Sequence, residues 1–114
     1  KKEIIVVFQP HRLYRLKSFL SEFALSLSLA QTVILLDVFD PTNVVDHDNN
    51  IKKLQDKLKI NKCKTCLLLD HSKMKATLTR YVKSDVIVVF LGAGNITKIA
   101  NDLVKTCQNT PITA

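Results

Sequence analysis

Ile4-Ile5-Val6-Val7-Phe8-Gln9-Pro10-His11-Arg12 is the stretch whose reading decides the fold. Five consecutive apolar residues, four of them β-branched, lead through Gln9 into a proline and two basic side chains. A strand with one face in water alternates apolar and polar residues. A continuous run is buried on both faces, as in a parallel sheet covered by helices. Three further runs, Thr32–Leu36, Thr65–Leu69 and Val86–Leu91, are also unbroken. Between them lie helical patterns, expected over about Arg12–Ser28, Asn50–Lys59 (with Asn49 or Asn50 as cap), Ser72–Val82 and Asn95–Cys107. In the first, Leu16, Phe19, Leu20, Phe23, Ala24 and Leu27 recur at i, i+3, i+4 spacing. Strands alternating with helices predict an α/β fold: a Rossmann-like, open, mainly parallel sheet with helices on both faces. In such sheets ligands bind beyond the carboxyl ends of the strands. Those ends are Phe8–Arg15, Asp37–Asn43, Asp70–Lys73 and Gly92–Asn95.

At 114 residues, with 46% hydrophobic and 24% charged, residues 1–114 suit a single domain with its own core. No apolar run approaches the roughly 18 residues of a membrane span. The chain starts without Met and enters a strand almost at once, which leads to the expectation that it is a fragment of something longer.

The net charge of +7 is concentrated in Lys52, Lys53, Lys57, Lys59, Lys62 and Lys64. That stretch has no arginine for bidentate base contacts and no aromatic for stacking, so it reads as a solvated face rather than a nucleic-acid surface. Neither nucleic acid nor membrane is expected as a partner. The three cysteines, Cys63, Cys66 and Cys107, are an odd number, which argues against a disulfide framework. Cys63-Lys-Thr-Cys66 precedes a strand instead of opening a helix, so it lacks the redox placement, and ordinary reduced thiols are expected. Asp46-His47-Asp48 lacks the glycine and glutamate of a calcium loop and reads as polar loop. Asp70 lacks the acidic pair a receiver phosphoacceptor would need. No metal site is expected.

Chemistry gathers in two places. His11, Arg12, Arg15 and Lys17 crowd the start of the first helix, where the dipole disfavours cations. Arg12 and Arg15, three residues apart, together with unpaired helix N–H groups, suit a carboxylate or phosphate. The alternative is that these are exposed charges held by acids such as Asp37 or Asp40. The second place is Gly92-Ala93-Gly94-Asn95, which holds both glycines of the chain. At least one of Gly92 and Gly94 is expected at positive φ. It is not a dinucleotide fingerprint, and the chain has no P-loop.

These residues carry a resemblance. Phe8-Gln9-Pro10-His11-Arg12 with Arg15 is similar to the F-Q-P-H-R-x-x-R signature of bacterial Mur ligases, in the branch that joins L-alanine to UDP-N-acetylmuramate. Leu35-Leu36-Asp37-Val38-Phe39 resembles their second strand, and Asp85–Gly94 with Asn95-Ile96 resembles their closing D-x-[IV]-x-x-x-G-A-G-[DN]-I. The order and spacing agree over nearly the whole chain. After the second strand the family continues with a small residue and Gly-Glu, whereas this chain reads Asp40-Pro41-Thr42-Asn43.

The resemblance implies the carboxy-terminal domain of a three-domain cytoplasmic enzyme of peptidoglycan precursor synthesis. That enzyme uses ATP and Mg2+, held mainly by a central domain, to join L-alanine to UDP-N-acetylmuramate, forming ADP. This part would be the lid that helps hold the amino acid and product. By analogy His11, Arg12 and Arg15 bind substrate, and Gly92, Gly94 and Asn95 form a loop near the active site. No catalytic residue or cofactor is expected in the isolated chain, which is predicted inactive. A second reading is a non-enzymatic α/β module that binds an anionic ligand or nucleic acid.

Overall fold

The computed structural model describes residues 3–82, 85–92 and 96–108. Four strands, β1 (Glu3–Gln9), β2 (Thr32–Leu36), β3 (Thr65–Leu69) and β4 (Val86–Gly92), form one sheet in the order β3-β2-β1-β4. Every pairing is parallel, with Val7 opposite both Ile34 and Phe90, and Gln9 opposite Gly92. The α/β reading is therefore correct, and β2 and β3 fall on the expected residues.

Both sheet faces are apolar because successive side chains alternate sides. Val6, Phe8, Val33 and Leu35 pack under α1 (Leu13–Ser18), α2 (Leu20–Leu27) and α3 (Asn50–Ile60). Ile5, Val7, Ile34 and Leu36 pack under α4 (His71–Tyr81) and α5 (Ile96–Gln108). Leu16, Leu54, Leu58, Met74 and Leu78, the inward positions of the amphipathic patterns, are fully buried.

Three details differ from the sequence reading. The first helix is not continuous from Arg12 to Ser28. It breaks at Phe19 (φ −119°, ψ 27°) into α1 and α2, although Phe19 N–H still donates to Arg15 O (3.1 Å) and Phe23 N–H to Phe19 O (2.9 Å). Neither proline nor glycine marks the break; Phe23 beyond it packs on Phe8, with ring centroids 5.1 Å apart. Second, the cap of α3 is neither Asn49 nor Asn50. Asn49 is left-handed (φ 54°) and makes no side-chain cap. Asp46 reaches in instead, accepting from the N–H groups of Asn50 (2.8 Å) and Ile51 (3.0 Å). Third, Arg15 and Lys17 fall in the last turn of α1, because that helix is so short. Cations there complement the helix dipole rather than oppose it.

Candidate functional site

A doubly wound sheet opens a crevice where the strand order reverses. Here the chain steps from β1 outward to β2 and β3, then crosses to β4 on the other side of β1. The crevice therefore lies at the carboxyl ends of β1 and β4, between Gln9–Arg12 and Gly92. The backbones approach closely: a β-carbon on Gly92 would stand 2.5 Å from the Gln9 carbonyl oxygen. Gly92 has φ +147°, so the positive φ expected of this glycine pair is present here. Gly94 and Asn95 lie outside the described residues.

On β1's other side the chain is pinned to the loop after β2. Phe39 N–H donates to Pro10 O and Arg12 N–H to Phe39 O, both at 2.8 Å. The His11 ring stacks on Phe39, with centroids 5.7 Å apart and planes 17° from parallel. Gln9 is buried, and its Nε2 donates to Asp37 O at 3.4 Å.

Arg12 is held with φ 67° and ψ 124°, outside the usual regions for a residue with a β-carbon. Such backbone costs about 1–3 kcal/mol and persists where surrounding contacts enforce it. The two hydrogen bonds through Phe39 and Pro10 supply that enforcement. Because Arg12 precedes the helix in this conformation, helical i, i+3 spacing does not align it with Arg15.

The start of α1 already has a carboxylate. Asp40 Oδ2 accepts from Leu13 N–H at 3.0 Å, and Asp40 Oδ1 accepts from the Thr42 hydroxyl and from Thr42 N–H at 2.9 Å. The Thr42 hydroxyl, the Leu13 and Thr42 amides and then nearby Arg12 lower its pKa to about 2. Of the two acids weighed as partners for the basic cluster, Asp40 is the one that takes this place. Lys17 faces Asp48 across a long 3.8 Å contact.

Beside this cap lies an open groove of about 520 Å³ lined by Arg12, Leu13, Tyr14, Lys17, Asp40 and Val44, among others. Two cations, the Asp40 carboxylate, a phenol and aliphatic surface thus share one concavity, whose one excess positive charge suits an anionic group with an apolar neighbour. His11 and Arg15 are not part of its wall. Sequence reasoning found Arg12 and Lys17 from the basic run. It missed Thr42 and Val44, because nothing local marks a residue about 30 positions away as a neighbour of α1, and Tyr14, because without those neighbours it reads as an exposed helix residue. A second hollow of about 290 Å³, lined by Asp37, Val38, Val44 and Asp46 among others, adjoins it through Val44.

Other sequence candidates have structural places. Burial pushes Asp46 up, but the Asn50 and Ile51 amides and the Asn50 side chain outweigh it, and its pKa is lowered. Cys63 and Cys66 are buried free thiols in the core under α3. Burial raises both, Cys66 to about 11, so neither is a ready thiolate. The side chain of Cys107 lies outside the described residues. Among the described residues no three His, Cys, Asp or Glu side chains gather as metal ligands. No helix among them is long and apolar enough to cross a membrane.

Comparison with known proteins adds the decisive observation. The chain is 40% identical over 97 residues to the UDP-N-acetylmuramate–L-alanine ligase of Ligilactobacillus salivarius, covering 85% of this chain and 20% of that protein. The chain is a relative of the UDP-N-acetylmuramate–L-alanine ligases. Enzymes of that name from Crocosphaera subtropica and Acaryochloris marina are 29% and 30% identical, over 90% and 95% of the chain. The chain spans about one fifth of the length of these ligases. No family model matches it. The Mur-ligase resemblance drawn from Phe8–Arg12 with Arg15, Leu35–Phe39 and the Asp85–Ile96 stretch is thus borne out, and this is a Mur-ligase-related domain.

Proposed function

We propose that this chain is the carboxy-terminal lid domain of a UDP-N-acetylmuramate–L-alanine ligase, positioning substrate while another part of the enzyme performs nucleotide chemistry. The observation that carries the reading is the placement of Phe8-Gln9-Pro10-His11-Arg12. It leaves β1 at its carboxyl end, next to the strand-order reversal, with Arg12 in an enforced backbone conformation on the rim of a groove that Lys17 and Asp40 also line. In the intact enzyme Arg12 would hold a carboxylate or acyl phosphate, Arg15 would add charge from the next turn, and His11 would fix the rim through its stack on Phe39. Positioning and charge stabilisation of this kind lower a barrier without a proton-transferring group in the lid. Gly92 would face the crevice from the end of β4.

The partners of the intact enzyme under this reading are UDP-N-acetylmuramate, L-alanine and ATP with Mg2+, in the cytoplasm, for cell-wall synthesis. The described residues offer neither a glycine-rich phosphate loop nor a carboxylate cluster for Mg2+. They do not fit Mg-ATP, and no step of nucleotide chemistry is assigned to them. The isolated chain is accordingly expected to be inactive.

The test is steady-state kinetics of the full-length ligase carrying Arg12→Ala or Arg15→Ala, beside thermal melts. Loss of one charge-assisted hydrogen bond, about 1.5–3 kcal/mol, lowers kcat/KM by about 10- to 200-fold. Lysine restores activity only in part, because it lacks the planar fork. Wild-type kinetics in both alanine variants would remove the assignment.

A further inference from the structure

The end of the domain opposite the candidate site carries exposed aliphatic side chains among exposed lysines. Helices α2 and α3 lie side by side on one face, each returning the chain from the carboxyl end of one strand to the amino end of the next. Their last turns therefore sit together. The turns that follow touch: Thr65 N–H donates to Gln31 O at 3.1 Å, and the Cys63 thiol lies 3.8 Å from Ala30 O. At this end Leu25 is 68% exposed, Leu29 88% and Ile60 77%. Three aliphatic side chains this exposed at one end of the domain are available to a partner surface. Around them Lys59, Lys62 and Lys64 are exposed, and among the described residues none is in an ion pair. The acids nearest this end are Glu3, at the start of β1 beside Ile4, whose N–H donates to Gln31 Oε1 at 3.1 Å, Asp85 before β4, and Asp56 on α3, which Lys52 holds at 3.0 Å. Glu22 is in the first turn of α2, away from its last residues.

We propose that this end of the domain, Leu25, Leu29 and Ile60 ringed by Lys59, Lys62 and Lys64, docks on an anionic lipid surface. The chemistry favours that occupant. Lysines just above a negatively charged leaflet gain from its surface potential, and aliphatic tips gain from the boundary between headgroups and acyl chains. A nucleic acid would use the lysines but leave the leucines and isoleucine without a role, and the patch has no aromatic or arginine for bases. The sequence reading expects no membrane partner; the three aliphatic residues come from two helices and a turn, which only the fold brings to one end. Docking by this end would leave the carboxyl ends of the strands, and the groove, facing away from the bilayer. The inference does not rest on the proposed function.

The experiment is co-sedimentation of the chain with phosphatidylcholine vesicles and with vesicles that also contain phosphatidylserine. Binding is expected only to the latter and is lost as salt rises. Replacing Lys59, Lys62 and Lys64 together by glutamine weakens it roughly fivefold for each lysine, about a hundredfold in all. Leu29→Ser with Ile60→Ser weakens vesicle binding at unchanged charge, and thermal melts check that both variants remain folded. No binding to anionic vesicles, or binding indifferent to both sets of substitutions, overturns the proposal. So does binding to random duplex DNA that needs the lysines but ignores the serine variant, which would mark a nucleic-acid face instead.

Discussion

Replacing Gly92 by alanine tests the architecture of the crevice directly. Gly92 pairs with Gln9 at the last position of the β1–β4 ladder and holds φ +147°. An added β-carbon would stand 2.5 Å from Gln9 O and 3.2 Å from Gln9 Cβ. The first contact is with backbone, and Gln9 is 3% exposed between β2 and β4, so it has little freedom to retreat. The strained φ alone costs about 1–3 kcal/mol, and the contact adds to it. For a domain of this size each kcal/mol lowers Tm by roughly 4 °C or more, so a drop of at least about 4–12 °C is expected. The assay is a thermal melt followed by circular dichroism, with Ser26→Ala on the exposed side of α2 as control, expected within about 0.5 kcal/mol of the parent. Gly92→Val should be worse than alanine. An alanine variant that melts with the parent would show that β4 does not end against Gln9 in this way.

Three other outcomes follow from the caps and the thiols. Asp46→Ala, measured by denaturant unfolding, should cost about 1–2 kcal/mol by uncapping α3, while Asp48→Ala, whose exposed carboxylate makes a long contact with Lys17, should cost little. Asp40 has its pKa depressed to about 2 by the Thr42 hydroxyl and the Leu13 and Thr42 amides. Its stabilising contribution is therefore complete above the ordinary carboxylate range near 4 and is lost as pH falls toward 2; Asp40→Asn should flatten the acid limb of a Tm–pH profile, and an unaltered limb would contradict the cap. Cys63 and Cys66, raised by burial, should resist iodoacetamide in native protein at mildly alkaline pH and react readily in denaturant; mass spectrometry of labelled peptides that showed both alkylated at free-thiol rates would refute their burial.

The strands were legible because burial on both faces writes itself as uninterrupted apolar runs; Thr32–Leu36 and Thr65–Leu69 are bounded as read. Helix faces were legible for the same reason, since Leu54, Leu58, Met74 and Leu78 mark the buried stripes. The break at Phe19 was not, because its peptide hydrogen bonds continue and no residue there forbids a helix. The cap of α3 had a local signal, an aspartate four residues before the helix, that was read only as loop polarity. The cap of α1 had none: Asp40 is 27 residues from Leu13, and tertiary structure alone brings them together. The site divides similarly. Arg12 and Lys17 stand out as cations in an unusual place, whereas Tyr14 and Val44 acquire meaning only once the β2–α3 loop folds over α1.

That loop is tied at two points to the beginnings of two different helices, Asp40 to α1 and Asp46 to α3. Chain length between those ties is free to vary, whereas length outside them is not. An insertion between Pro41 and Val45 would lengthen one wall of the groove and leave both helices seated. A single residue added between Leu36 and Asp40 would pull the first carboxylate off Leu13 and release the backbone of Arg12 with it. Any descendant of this domain that changes what the groove accepts has an inexpensive route through that five-residue window.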